Sequence, residues 1–165
     1  MPLCDYPDHD TNPQAQFADT PGARATEDFS QWQLALRVLT MPADTNQYGD
    51  IFGGWLLSQA DVAGATIAIA RSRGRVATAA VNDFHFLAPV RVGDLVELHA
   101  RLLQEGTSSM TVEVDVRARR EARPEDEQQV ATGRFIYVAV GAEGRSRPLQ
   151  STIQSPIQSK ATQLT

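Results

Sequence analysis

The chain is short of several things, and each shortage removes a class of protein. It holds one cysteine, Cys4, so no internal disulfide can staple it, and nothing near Cys4 has metal-ligand or redox-pair spacing. A reducing, cytoplasmic setting is the expectation. No uninterrupted apolar run approaches the roughly 20 residues of a membrane span, and the acidic, proline-bearing N-terminus is unlike a basic-then-apolar leader. Positive charge is in deficit: 15 Lys+Arg against 20 Asp+Glu leaves 15 − 20 = −5. That balance offers no broad footprint for nucleic acid or anionic lipid, and neither is expected as a partner. The sequence has no phosphate-loop, dinucleotide-fingerprint or HExxH motif and no internal repeat. Its histidines are three, His9, His85 and His99, and no Ser-His-Asp or Cys-His arrangement follows from their spacing.

What remains is 165 residues, 42% hydrophobic and 21% charged, enough for one sizeable core and hardly two. Residues 1–30 carry Pro2, Pro7, Pro13 and Pro21 among polar residues without a period, and read as a disordered N-terminal tail. Residues 149–165 turn to Gln, Ser and Thr and read as a flexible polar C-terminal tail. The folded domain is expected over 31–148.

Within it, Trp32, Leu34, Leu36 and Val38 alternate with polar or small neighbours, the period of a strand with one buried face, over 31–40. Pro42 blocks its continuation, and Asp44, Asn46, Gly49 and Asp50 crowd into a loop. From Gly54 to about Arg71 apolar and small residues lie all round with no proline, which predicts a buried helix. Ala60, Ala63, Gly64, Ala65 and Ala68 keep that helix thin, so other backbone can come close. Val76–Leu87, Leu95–Gln104, Ser109–Arg119 and Gln129–Val140 read as four further strands separated by turn-forming residues. The order β, long helix, then four strands predicts an α+β fold, an antiparallel sheet curled around one helix. Its edges and back would need cover, which favours self-association.

Two features point to chemistry. Gly53 and Gly54 open the helix, where unshielded N–H groups and the positive end of the dipole can hold an oxygen that gains negative charge. A simple tight turn is the competing reading of the pair. Asp61, about two turns into the helix among Leu57, Ala60, Val62, Gly64 and Ala65, is a carboxylate in apolar company. With its pKa raised by such surroundings yet still ionised near neutrality, it would suit a general base or a nucleophile; pointing outward or bonding nearby backbone is the alternative. Ser58, one turn before Asp61, suits a supporting bond to Asp61 or to backbone. His85 and His99 fit packing or surface positions better than catalysis. Cys4 lacks a setting that would make it a nucleophile, and Trp32 and Trp55 read as packing residues.

The segments Met41–Asn46, Gly49–Trp55, Ser58-Gln59 and Asp61 resemble the hotdog-fold acyl-CoA thioesterases of the YciA type. The resemblance continues through Phe86-Leu87, Pro89-Val90, Val92–Asp94, Gly106–Ser109 and Tyr137–Val140. It implies hydrolysis of acyl-CoA to a free acid and CoA without metal or organic cofactor. The carboxylate matching Asp61 would activate water or attack the thioester carbon. Asp50 would help position the water or the carbonyl, from the opposite subunit of a composite site, and the amides near Gly53 and Gly54 would form the oxyanion hole. For CoA and substrate the resemblance points to Asn46, Ser108, Ser109 and the basic pair Arg119 and Arg120, the last two expected close to the serines in one strand hairpin. Arg is favoured for phosphate, and 14 of the 15 basic residues are Arg. Ala88 departs from the pattern, standing where the type often has a basic residue. A dimer with continuous sheets, gathered into a hexamer as a trimer of dimers, is implied. The rival readings are a non-catalytic acyl-CoA-binding protein, against which the intact Asp50 and Asp61 speak, and a dehydratase, for which the helix lacks a histidine.

Overall fold

The computed structural model describes residues 28–120 and 124–150. Five strands and one long helix follow in the order β1 (Gln33–Leu39), α1 (Gly53–Ser72), β2 (Val76–Phe86), β3 (Asp94–Glu105), β4 (Ser109–Arg120) and β5 (Gln128–Ala139). The strands form one antiparallel sheet ordered β1-β3-β4-β5-β2, and all five touch α1. This is the expected hotdog arrangement, with element ends within about two residues of those read from the periodicity. Two short 3-10 turns, Pro42–Asp44 and Pro124–Asp126, interrupt stretches read as plain loop; in the first, proline supplies the fixed φ of a helical start.

The core is the interface between α1 and one face of the sheet. Leu56, Ala60, Ala63, Ile67 and Ala68 pack toward Val96, Leu98 and Ala100 of β3, Val112, Val114 and Val116 of β4, and Ala131, Phe135 and Tyr137 of β5, all buried. Alternation along β3 and β4 leaves Asp94 and Arg120 in the phase of the core residues at the strand ends and sends Glu97, Arg101, Glu113, Asp115, Arg117 and Arg119 to the other face. There Glu97 pairs with Arg37 and Arg119, Asp115 with Arg117, and Glu113 with Arg101. The helix ends at Arg73, whose φ of 52° is left-handed, followed by Gly74.

Two expectations need correction. Trp32, Leu34, Leu36 and Val38 do not share a buried face. The register of β1 on β3 slips between Leu34 and Leu36, and that irregularity reverses the phase of the strand. Leu34 sits opposite His99 on the charged face, while Leu36 sits opposite buried Leu98. Trp32 and Leu34 are accordingly exposed, and Trp32 carries the Arg101 guanidinium 4.5 Å from its ring centroid. Nor is α1 buried all round: Val62 and Ile69 are each 50% exposed on the side away from the sheet. An apolar helix buried by its own sheet along one face only leaves a greasy surface uncovered in the single chain.

Phe29 and Leu149 pack against the core, and their backbones bond to Leu102 and Thr107. The tails expected to be disordered, with Cys4 and His9, otherwise lie outside the described residues, as do 121–123.

Candidate active site

Asp61 lies half-buried on α1, and two hydroxyls meet its Oδ1. Thr78 Oγ1 donates to it at 2.8 Å, and Tyr137 Oη lies 3.1 Å away. The Tyr137 hydroxyl is also 2.8 Å from the main-chain carbonyl oxygen of Asp61. Thr78 and Tyr137 face each other across the β2–β5 ladder, so a single cross-strand pair delivers both. Immediately after Thr78 the register slips before Ala80, which frees Thr78 from the alternation of the rest of β2 and aims it at the helix. The carboxylate expected among alanines and aliphatics therefore has polar partners, supplied from strands remote in sequence. Neither hydroxyl was assigned a site role from the sequence. The signals were a lone Thr among the alanines of β2 and a phenol in a buried strand, whose O–H needs a partner.

Tyr137 is fully buried and stacks on Phe135, ring centroids 6.2 Å apart. Burial first, and then the charge of Asp61 and the hydrogen bond to it, push its pKa well above the ordinary tyrosine value. It is a neutral donor at any working pH.

Gly53 and Gly54 are the first two residues of α1, and neither has the left-handed backbone of a tight turn. Phe52 caps the helix without a side-chain hydrogen bond, and the first amide to return to the chain is Leu56 N–H, 3.1 Å from Phe52 O. Among the described residues, no hydrogen bond engages the N–H groups of Gly53 and Gly54. A Cβ on Gly54 would meet nothing within 4 Å, whereas one on Gly53 would lie 3.1 Å from the Phe86 ring. The Cβ side of Gly54 is open, and that of Gly53 is walled by an aromatic.

The loop ahead of the helix is braced from within. Asn46 Oδ1 accepts the N–H of Tyr48 at 2.8 Å and of Asp50 at 3.2 Å, and Gly49 takes the φ of +88° that the turn requires. Asn46 thus shapes the segment carrying Asp50. Asp50 forms an isolated antiparallel β-bridge with Arg91 through the backbone, and Ile51 N–H bonds Val90 O, which ties the loop to the end of the sheet where β3 begins. The Asp50 carboxylate is half-buried and, among the described residues, receives no hydrogen bond.

The basic pair lies elsewhere than expected relative to the serines. Ser109 begins β4 and Arg120 ends it, so they sit at opposite ends of the strand, about 35 Å apart at the rise of an extended chain. Ser108 and Ser109 are beside Val138 and Ala139, at the Tyr137 end. Arg119 and Arg120 are beside Leu95 and Asp94, at the Asp50 end. Serines and arginines share the β3–β4 hairpin, but its length separates what sequence proximity suggested. Arg119 pairs with Glu97, and Arg120 lies 3.3 Å from Asp94 while lining a cavity of about 300 Å³ with Asp126 and Gln128.

The remaining candidates are peripheral. Ser58 Oγ donates to Trp55 O at 2.7 Å, the backbone alternative of the two foreseen. His85 and His99 both lie on the charged face, opposite Thr132 and Asp115. Trp55 and Ala88 pack partly against the core.

Comparison with known proteins agrees with this architecture. The thioesterase superfamily profile matches residues 48–125. The acyl-CoA thioester hydrolase YciA of Salmonella typhimurium is 48% identical over 121 residues, 72% of this chain and 91% of that protein. That of Escherichia coli K12 is 47% identical over 126 residues, 75% and 96% respectively. Among solved structures, the hexameric thioesterase of Yersinia pestis superposes with a TM-score of 0.69 at 45% identity, covering 72% of this chain and 97% of that one. A mutant form of a hexameric broad-specificity acyl-coenzyme A thioesterase gives 0.71 at 39% identity, covering 74% and 90%. With identity at this level across nearly the whole length of its relatives, and with the same sheet wound on the same helix, the chain belongs to the thioesterase superfamily and, within it, to the YciA-type acyl-CoA thioester hydrolases.

Proposed function

We propose that the protein hydrolyses acyl-CoA thioesters to a carboxylic acid and CoA, with Asp61 as the reacting carboxylate and the N–H groups of Gly53 and Gly54 as the oxyanion donors. The observation that carries this reading is a half-buried acid held by two hydroxyls on a helix whose first amides, among the described residues, have no hydrogen-bond partner. As a base, Asp61 takes a proton from water while the water oxygen bonds to the thioester carbon. As a nucleophile, its oxygen bonds to that carbon directly, and water later cleaves the anhydride. In both routes the carbonyl oxygen gains negative charge against the amides, then the C–S bond breaks and the thiolate leaves with its electron pair. A thiolate leaves readily, so one carboxylate with an oxyanion pocket suffices.

On this reading the two halves belong to different subunits. Asp61 is eight residues beyond Gly53 on one straight helix, about 12 Å along the axis. Reacting groups must converge to about 3 Å on one carbonyl, which a rigid helix forbids within one chain. A second copy, laid antiparallel along the exposed Val62–Ile69 face and joined at the free edge of β2, brings the amides and Asp50 of one subunit to Asp61 of the other. Hexamers among the relatives fit a trimer of such dimers. Arg120, half exposed and held only loosely by Asp94, suits a CoA phosphate better than Arg119, whose charge Glu97 already meets. Ser108 and Ser109, at the other end of β4, then serve another part of the ligand or the neighbouring subunit's ligand. The one cysteine fits a cytoplasmic setting, and no helix of the described residues is long and apolar enough to cross a membrane.

The test is release of free CoA, followed with a thiol reagent, from acyl-CoAs running from acetyl to palmitoyl plus aromatic esters. Turnover of at least one class with kcat/KM in the ordinary enzyme range, above about 10⁴ M⁻¹s⁻¹, is expected. Binding of every ester without CoA release would make the protein a ligand sensor instead.

A further inference from the structure

We propose that Tyr137 is a positioning residue that selects Oδ2 as the reacting oxygen of Asp61; this rests on the reading of Asp61 as the reacting carboxylate. The Tyr137 hydroxyl lies 2.8 Å from the backbone carbonyl oxygen of Asp61 and 3.1 Å from its Oδ1. One O–H shared between main chain and side chain of the same residue fixes the side-chain torsions of that residue. Thr78 donates to the same Oδ1 at 2.8 Å. With two donors on Oδ1 and, among the described residues, none on Oδ2, the carboxylate is asymmetric: Oδ1 is stabilised and less basic, and Oδ2 is left to take the proton of water or to bond to the thioester carbon.

The fold makes specific provision for the phenol. Its ring is fully buried and fixed against Phe135, and Gly64 faces it across the helix–sheet interface. A Cβ at position 64 would lie 2.4 Å from the Tyr137 oxygen and 3.1 Å from its ring, so the close approach exists only because residue 64 has no side chain. Gly64 is three residues after Asp61, so the opening in the helix surface is one turn from the carboxylate it serves. Glycine inside a helix costs stability, and access for this hydroxyl accounts for its presence.

Tyr137→Phe keeps the ring and removes only the bond. Gly64→Ala keeps the hydroxyl and displaces it. Each is measured for kcat and KM on assembled protein, with thermal stability alongside. Tyr137→Phe is expected to lower kcat about tenfold, the kinetic weight of one hydrogen bond to a charged group, with KM within about twofold of wild type. Gly64→Ala should show a similar loss in the wild-type background but less than about twofold in the Tyr137→Phe background, where no hydroxyl remains to be displaced. A Tyr137→Phe enzyme with wild-type kcat, or one whose loss lies in KM and not in kcat, would overturn the proposal whatever its melting temperature, and so would additive losses in the double variant. Failure of the underlying reading looks different: Asp61→Asn would itself turn over normally.

Discussion

Replacing Gly54 by alanine should make the protein more stable and less active at once. Gly54 is the second residue of α1 and has no left-handed backbone, and its missing Cβ points into space with nothing within 4 Å. The folded chain accepts a methyl there without strain, while the unfolded chain loses freedom, a gain of about 0.4–1 kcal/mol. For a domain of this size that is roughly 1–5 °C in Tm. On the proposed mechanism the same methyl stands beside the helix amides that would receive the thioester oxygen. Outright loss of an oxyanion donor costs about 10²–10³ in rate, so an obstructed one should cost at least tenfold in kcat/KM. Gly53→Ala is the contrast: its methyl meets the Phe86 ring at 3.1 Å, the ring must give way, and the stability gain disappears. Thermal melts, light scattering and CoA release measured on the same samples separate the three effects. A Gly54→Ala protein of unchanged assembly and full activity would mean that substrate does not approach these amides.

Three further outcomes follow from the same geometry. Asp50→Ala and Asp61→Asn, each inactive alone, should recover about a quarter of wild-type activity when co-assembled at random, because half the pairs are mixed and each mixed pair has one intact composite site; no recovery would place both acids in one chain. Gly133→Ala should lower stability by about 1–3 kcal/mol, since its Cβ would lie 2.4 Å from the Phe84 ring and 3.2 Å from Phe84 Cα, with only the backbone left to move; an unchanged melt would contradict this packing. Because the fold raises the pKa of Tyr137, its contribution is fully present below the unfolded value near 10 and is lost as pH rises beyond it. Wild type should therefore lose stability above about pH 10 more steeply than Tyr137→Phe, as read by denaturant midpoints across that range.

How far the sequence foretold the molecule depends on how local each cause is. The helix and the strands β3, β4 and β5 were readable because long apolar stretches survive their few irregularities, as in Met110, Val112, Val114, Val116 and Ala118, all buried. Asp61 stood out because an acid between Ala60 and Val62 breaks a local rule. The reversed face of β1 was hidden, since a register slip after Leu34 is set by pairing with β3 and leaves no mark in β1 itself. Thr78 and Tyr137 were hidden for the same reason: they meet at Asp61 only through the β2–β5 register, 17 and 76 residues away along the chain. The distance between Ser109 and Arg120 was misjudged because neighbours in a hairpin need not be neighbours in space when the strand is 12 residues long.

The most direct test of the account is the rate of CoA release by Asp61→Asn beside wild type. Asparagine keeps the oxygen that Thr78 and Tyr137 hold, so the variant should fold and assemble normally. It cannot take a proton or displace a thiolate, and kcat should fall by about 10²–10⁴. An assembled Asp61→Asn protein that releases CoA at a rate close to wild type would contradict the assignment of this carboxylate to the chemistry.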